Sequence, residues 1–223
     1  VHSQAGETEP PWDLPAPWDF SPEAAPFEIS FPSSLSPSPE EIATRLESEA
    51  ATDGDAPRLR GVIMHRALQT LSSGNPPPDA ASLAAALRQE GLTRPVAAAL
   101  AAEIQAELAA CQADPFLVPL LAPDILWGAN EWLLEDQPQP GAIRRGVIDL
   151  AAFNGQDWWL LDFKTSRPAP GEDWEAFITQ ETEKYRPQLL AYREMAAKAK
   201  GIEPPETIRL GIYFTACRQV VEM

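Results

Sequence analysis

Residues 142–165 read AIRRGVIDLAAFNGQDWWLLDFKT. Two apolar runs, 142–153 and 158–165, flank the turn pair Asn154-Gly155. An Asn-Gly step supplies the positive φ that tight turns demand, so the stretch predicts an antiparallel hairpin. Each run carries an acid among apolar residues: Asp149 within Gly146-Val147-Ile148-Asp149-Leu150, and Asp162 near the end of the second run. The hairpin sets these strands side by side, so Asp149 and Asp162 can converge. Asp162 and Lys164 lie two residues apart, and side chains alternate across a strand, so both point to one face. Two carboxylates in one place repel unless one is protonated or a cation lies between them. Carboxylates that hold a hard divalent cation, with a lysine to orient a water or steady developing charge, form a unit for metal-assisted hydrolysis.

Working outward, 125–135 (ILWGANEWLLE) is also strand-like and is separated from the hairpin by the turn-rich 136–141. A long helix is predicted over 178–200, closed by Gly201 and Pro204-Pro205, with a further strand over 208–217. Upstream, 58–71 has helical periodicity, Asn75-Pro76-Pro77-Pro78 breaks it, and alanine-rich helices follow at about 79–90 and 93–113, joined near Gly91. Ser38-Pro39-Glu40-Glu41 has the form of a capped helix start. Helices first, then a meander, a helix and a strand predict an α/β domain with a mixed central sheet and an N-terminal helical cap. No fixed-period repeat is visible.

Two more features gather around the acids. His65, in Gly61-Val62-Ile63-Met64-His65, is the only histidine outside the N-terminal tip and sits on a predicted helix. Alone it would more often be a satisfied buried histidine. Tyr185, Gln188 and Tyr192 are spaced by three and four, which aligns them along one stripe of the helix after Lys164. Without the aspartates they would be ordinary residues of an amphipathic helix. Trp158-Trp159 fits core and sheet edge better than a base-stacking platform. Arg144-Arg145 is placed either to reach phosphates or to stand solvated.

The 223 residues carry 33 acids against 17 bases, a net charge of −16. Residues 1–57 hold 12 acids and one base, Arg45, for −11; the remaining 21 acids and 16 bases give −5. A free-standing nucleic-acid binder normally shows a basic footprint, so this balance argues against one. Eleven of the sixteen net negative charges lie outside the segment that carries Asp149 and Asp162. Nine of the 24 prolines fall within 1–40, which therefore reads as an extended lead-in, with 41–223 as the domain. Its aromatics (Trp12, Trp18, Phe20, Phe27, Phe31) are too many for a solvated tail and predict that part of it lies on the domain body or a neighbour. Cys111 and Cys217 are too few for a four-cysteine metal site and read as reduced thiols, with a single bridge left open. No run approaches a membrane span and the N-terminus lacks signal-peptide character, so a cytoplasmic protein is expected; starting at Val1, it reads as a fragment of a longer chain.

In chain order, Gly61-x-x-x-His65, Gly146-x-Ile148-Asp149, Asp162-x-Lys164-Thr165 and Gln188-x-x-x-Tyr192 resemble the motif series of the RecB-type nuclease domain of the PD-(D/E)xK superfamily. The resemblance covers roughly residues 58–217 and is strongest to the C-terminal nuclease domain of AddA-type, UvrD-like helicases. It implies a restriction-endonuclease-like core and Mg²⁺-dependent hydrolysis of DNA, with exonuclease action expected and Mn²⁺ able to substitute. By that pattern His65, Asp149, Asp162 and the Phe163 carbonyl would be metal ligands, with Asp149, Asp162 and Lys164 as the catalytic set. Gln188, Tyr192 and Tyr185 would support the site and contact DNA. Glu131 matches an acid often found before the hairpin and is taken as structural support. The implied partners are DNA, helicase domains of the same polypeptide and a second helicase-nuclease subunit, in double-strand break repair and recombination. Relatives with an iron–sulfur staple need four cysteines, so no cluster is expected; no Gly-x-x-x-x-Gly-Lys-[Ser/Thr] occurs, so any motor lies elsewhere. The alternatives are a catalytically silent, strand-guiding relative and, less favoured, a metal phosphohydrolase acting on something other than DNA.

Overall fold

The computed structural model describes residues 28–30 and 53–223. Helix α1 (Ala56–Ser72) follows a 3-10 turn and carries Pro57 in its first turn, where a missing N–H costs nothing. Its C-terminal boundary falls just before the proline run, as the sequence requires. Helix α2 (Ala80–Gln89) is capped by Asp79, whose side chain accepts the Ser82 amide at 2.7 Å. Gly91, at φ 99°, turns the chain into α3 (Arg94–Gln112).

The strands are β1 (Glu28–Ser30), β2 (Trp127–Gln139), β3 (Ala142–Phe153), β4 (Trp158–Lys164), β5 (Ile208–Phe214) and β6 (Gln219–Glu222). Their order is β1-β3-β4-β5-β6, with β2 also paired to β3. Pairs β1·β3 and β4·β5 are parallel and the others antiparallel, so the sheet is mixed, as expected. Helix α4 (Trp174–Lys200) makes the crossover between parallel β4 and β5. Helices α1–α3 bury Leu59, Ile63, Leu68, Leu87, Ile104 and Leu108 against one sheet face, which contributes Leu150, Trp159, Leu161 and Phe163. On the opposite face, α4 packs Ile178, Leu189 and Met195 over Ile148, Leu160, Leu210 and Phe214. Together these layers have the restriction-endonuclease-like arrangement.

The β3–β4 connection is the four-residue loop left between the two apolar runs: Asn154 Oδ1 accepts the amides of Gln156 and Asp157 at 2.9 and 2.8 Å, so its side chain folds the turn. Three boundaries differ from the sequence expectation. Strand β2 runs on through 136–139 because Arg144 and Arg145 of β3 pair with Asp136 and Glu135 across the ladder, and Pro138 is tolerated on this edge strand. Helix α4 starts at Trp174, four residues early, since Asp173 caps the Ala176 amide at 3.0 Å. The last strand divides at Arg218 (φ 56°) into β5 and the unforeseen β6. Of the lead-in, only β1 is described, lying parallel beside residues 142–144; the helix predicted after Pro39 lies outside the described residues. Among the described residues no helix is long and apolar enough to cross a membrane.

Both cysteines are free thiols. Cys111 is fully buried on the inner face of α3, and burial pushes its thiol up to about 12, with Glu107 adding to the effect. A native protein treated with a thiol-reactive chromophore at pH 8 is therefore expected to release at most one equivalent, from half-buried Cys217. The second equivalent should appear only in guanidinium, and two fast equivalents from the native protein would contradict this packing.

Candidate active site

Strand alternation breaks in the middle of β2 and β3, and two acids lie at the break. In β3, Leu150 and Ala152 face the α1–α3 core, yet Ile148 joins Ala151 in the α4 core. In β2, Trp127 and Trp132 both pack toward α4 although they are five positions apart, which regular alternation would place on opposite faces. Pairing runs Asn130↔Leu150 and Trp132↔Ile148, and the facing pair Glu131/Asp149 falls between. Glu131 adopts φ 47°, a left-handed conformation that a glutamate adopts only under constraint and at a cost of roughly 1–3 kcal/mol. Both acids are met there by α1: Gln69 Nε2 donates to Glu131 Oε1 at 2.6 Å, and His65 Nδ1 lies 3.7 Å from Asp149 Oδ2.

Strands β3 and β4 pair only from 150–153 to 158–161 and then separate. Beyond Leu161 the ladder no longer serves the Phe163 amide, which donates instead to Asp149 Oδ2 at 2.7 Å. Asp162 is 7% exposed, and its Oδ2 is 2.7 Å from Lys164 Nζ, so the two residues do share a face. That contact is a close ion pair bent too far for a hydrogen bond, which leaves the oxygen without a well-aligned donor. Lys164 Nζ also stands 3.5 Å from the centroid of the Tyr185 ring, a cation–π contact from α4.

Burial and the neighbouring Asp162 push the Asp149 carboxyl up to about 8, against the opposing pull of the Phe163 amide. Burial also lowers the His65 pKa, which favours the neutral imidazole that a cation requires. Burial disfavours the charged form of Lys164, but the Asp162 carboxylate outweighs this and holds the ammonium above its usual range. His65, Asp149, Asp162, Phe163 and Lys164 thus occupy one place, where β3 and β4 part. Among the described residues no three His, Cys, Asp or Glu side chains are already disposed as a metal-holding group. The donor types nevertheless suit a hard divalent cation: two carboxylates in mutual repulsion, one poorly satisfied buried oxygen and a neutral imidazole.

The motif glycines have steric reasons. A Cβ on Gly61 would come within 3.0 Å of Thr165 Oγ1, so a side chain there would push α1 away from the end of β4. At Gly146 a Cβ would run into the Tyr192 ring, which lies flat over β3 with its hydroxyl accepting from Gln188 Nε2 at 2.7 Å. Gly146→Val is expected to destabilise the protein by about 1–3 kcal/mol through this clash. Thermal melts should show that Gly146→Val/Tyr192→Ala is less destabilised than the sum of the single variants. Strict additivity would refute the contact.

The remaining candidates divide. Arg144 is engaged by Asp136 and Glu194, and Arg145 by Glu135, so neither is a free phosphate ligand. Trp159 is buried edge-on to Phe116, while Trp158 stacks on Phe153 and meets Trp127, making both packing residues. Sequence reasoning placed Glu131 only as support and missed both its strained backbone and its Gln69 partner. It also missed a network of buried Arg60, Glu107 and Thr215, with exposed Arg167 at its edge, beside the end of β4. The available signal was one acid, Glu107, in the apolar stripe Ala97, Leu100, Ala101, Ile104 and Leu108 of α3.

A family model described as “PD-(D/E)XK nuclease superfamily” matches residues 41–222. No curated protein matches the sequence. Among solved structures, one described as “Crystal structure of SSO0001” is similar at 14% identity over 82% of this chain and 70% of that one, with a TM-score of 0.27.

Proposed function

The chain belongs to the PD-(D/E)XK nuclease superfamily, and from that premise we propose that it is a metal-dependent DNA nuclease module of a helicase-nuclease. The observation that carries this is the joining of Asp149, Asp162, Lys164 and His65 where β3 and β4 separate. His65, Asp149, Asp162 and the Phe163 carbonyl would hold a divalent ion, Mg²⁺ or Mn²⁺. When bound, that ion polarises the scissile phosphate and lowers the pKa of a coordinated water. Lys164, anchored between Asp162 and the Tyr185 ring, orients the attacking water and steadies the charge that develops on the phosphate. Tyr192 and Gln188 fix the face of β3 that carries Asp149. Digestion from DNA ends, a cytoplasmic location and a role in break repair and recombination follow from the resemblance to RecB- and AddA-type domains.

The net charge of −5 over residues 58–223 supports dependence on helicase domains and a second subunit to deliver DNA. The salt bridge that now occupies Asp162 favours, as a second reading, a silent strand-guiding domain. End-labelled DNA with Mg²⁺ or Mn²⁺, and a small phosphomonoester in parallel, distinguish these possibilities. Cleavage of DNA alone supports the nuclease, and turnover of the monoester alone points to a phosphohydrolase. No turnover of either, including within the helicase-bearing full-length chain, refutes the nuclease in favour of the silent domain.

A further inference from the structure

Glu107 is a carboxylate on the buried face of α3, 8% exposed, among Leu100, Ala101, Ile104, Leu108 and Cys111. An unpaired charge there would be strongly destabilising. It has three partners from three segments. Arg60 of α1, 7% exposed, forms a close ion pair with Oε2, which also accepts from Arg167 Nη2 at 2.9 Å. Thr215, at the end of β5, donates its hydroxyl to Oε1 at 2.5 Å.

Two of these partners also hold the end of β4. Arg60 Nη1 donates to the Thr165 carbonyl at 2.7 Å. The Thr215 amide donates to the Lys164 carbonyl at 3.0 Å. The backbone on both sides of the Lys164–Thr165 peptide is thus fixed by groups whose orientation Glu107 sets. Arg60 lies five residues before His65 on the same helix, so the network also ties α1 to this strand end, beside the close Gly61–Thr165 approach. Lys164 reaches its position through four flexible methylenes, and the placement of Nζ between Asp162 and Tyr185 depends on where its backbone is anchored.

We propose that Glu107 is a positioning residue for Lys164, acting through Arg60 and Thr215 without touching substrate. This rests on the role given to Lys164 above. Glu107→Gln leaves an acceptor for Thr215 but removes the charge that orients Arg60, and Thr215→Val removes the hydroxyl at nearly constant shape. In the full-length chain, both variants are expected to lower kcat by about 10- to 100-fold with KM for DNA changed less than about twofold. Thr215→Ser, which keeps the hydroxyl, should retain wild-type kcat. Independently of activity, hydrogen exchange at the Thr215 amide should accelerate in Glu107→Gln while the β4–β5 amides nearer Trp158 stay protected. Unchanged kcat in both variants, a loss expressed in KM alone, or a Thr215 amide that remains protected would each overturn the proposal. If Lys164→Ala cleaves DNA as well as wild type does, the role of Lys164 fails, and the exchange result still decides whether Glu107 holds the strand end.

Discussion

Lys164→Ala is expected to lower the rate of DNA cleavage by roughly 10³-fold, and Asp162→Ala by at least as much. The magnitude follows from position. Among the described residues Lys164 is the only cation brought to the two acids of the site, its Nζ 2.7 Å from Asp162 and held against Tyr185. An ammonium fixed in a largely buried place contributes more to a developing phosphate charge than the same group in water. Lys164→Arg should rescue little, because the longer guanidinium spreads its charge over three nitrogens and carries it away from the point beside Asp162 that the compact ammonium holds. Quenched-flow or gel assays on end-labelled DNA measure this effect. Parallel melting curves guard against simple unfolding, and cleavage by both alanine variants at the wild-type rate would remove the catalytic assignment.

Asp149→Asn is expected to separate stability from function. Burial and the neighbouring Asp162 hold the Asp149 carboxyl far above the ordinary 3.8, so the folded state keeps a proton that the unfolded chain releases. The stability tied to that proton is complete below about pH 4 and is lost as pH rises through 8. Metal-free wild type should therefore melt progressively lower from pH 5 to pH 8, by several degrees. Asp149→Asn, with no carboxyl to ionise and an oxygen still available to the Phe163 amide, should be flat over this window and more stable than wild type at pH 8. Millimolar Mg²⁺ or Mn²⁺ should raise the wild-type melting temperature at pH 8 and leave the variant unmoved, since only the folded wild type gains a ligand. The variant should also fail to cleave DNA. Equal pH profiles for the two proteins, or an equal response to metal, would show that Asp149 is neither buried against Asp162 nor part of a cation site.

Much of this site can be read along the chain. The hairpin, the placement of Asp149 against Asp162, the common face of Asp162 and Lys164, and the stripe from Tyr185 to Tyr192 all follow from short periodicities. They need only the alternation of a strand and the turn of a helix. The charge distribution was equally local: residues 1–57 carry −11 of the net −16, and Arg144 and Arg145 prove to be neutralised by neighbouring acids rather than free.

What the chain order could not supply comes from elements distant in sequence. Residue separations of 62 between Gln69 and Glu131, 47 between Arg60 and Glu107, and 108 between Glu107 and Thr215 carry no local pattern. The left-handed Glu131, too, breaks the alternation from which strands are predicted. The sequence by itself determined the mixed α/β order, the hairpin and which acids and lysine would be brought together, because hydrogen-bonding periodicity and turn chemistry are properties of neighbours. Only the tertiary structure decided that β3 and β4 part just where the acids sit and that Tyr192 requires a bare Gly146. It also decided that a buried carboxylate on α3 anchors the strand end bearing Lys164, since close packing and charge burial exist only once separate elements meet.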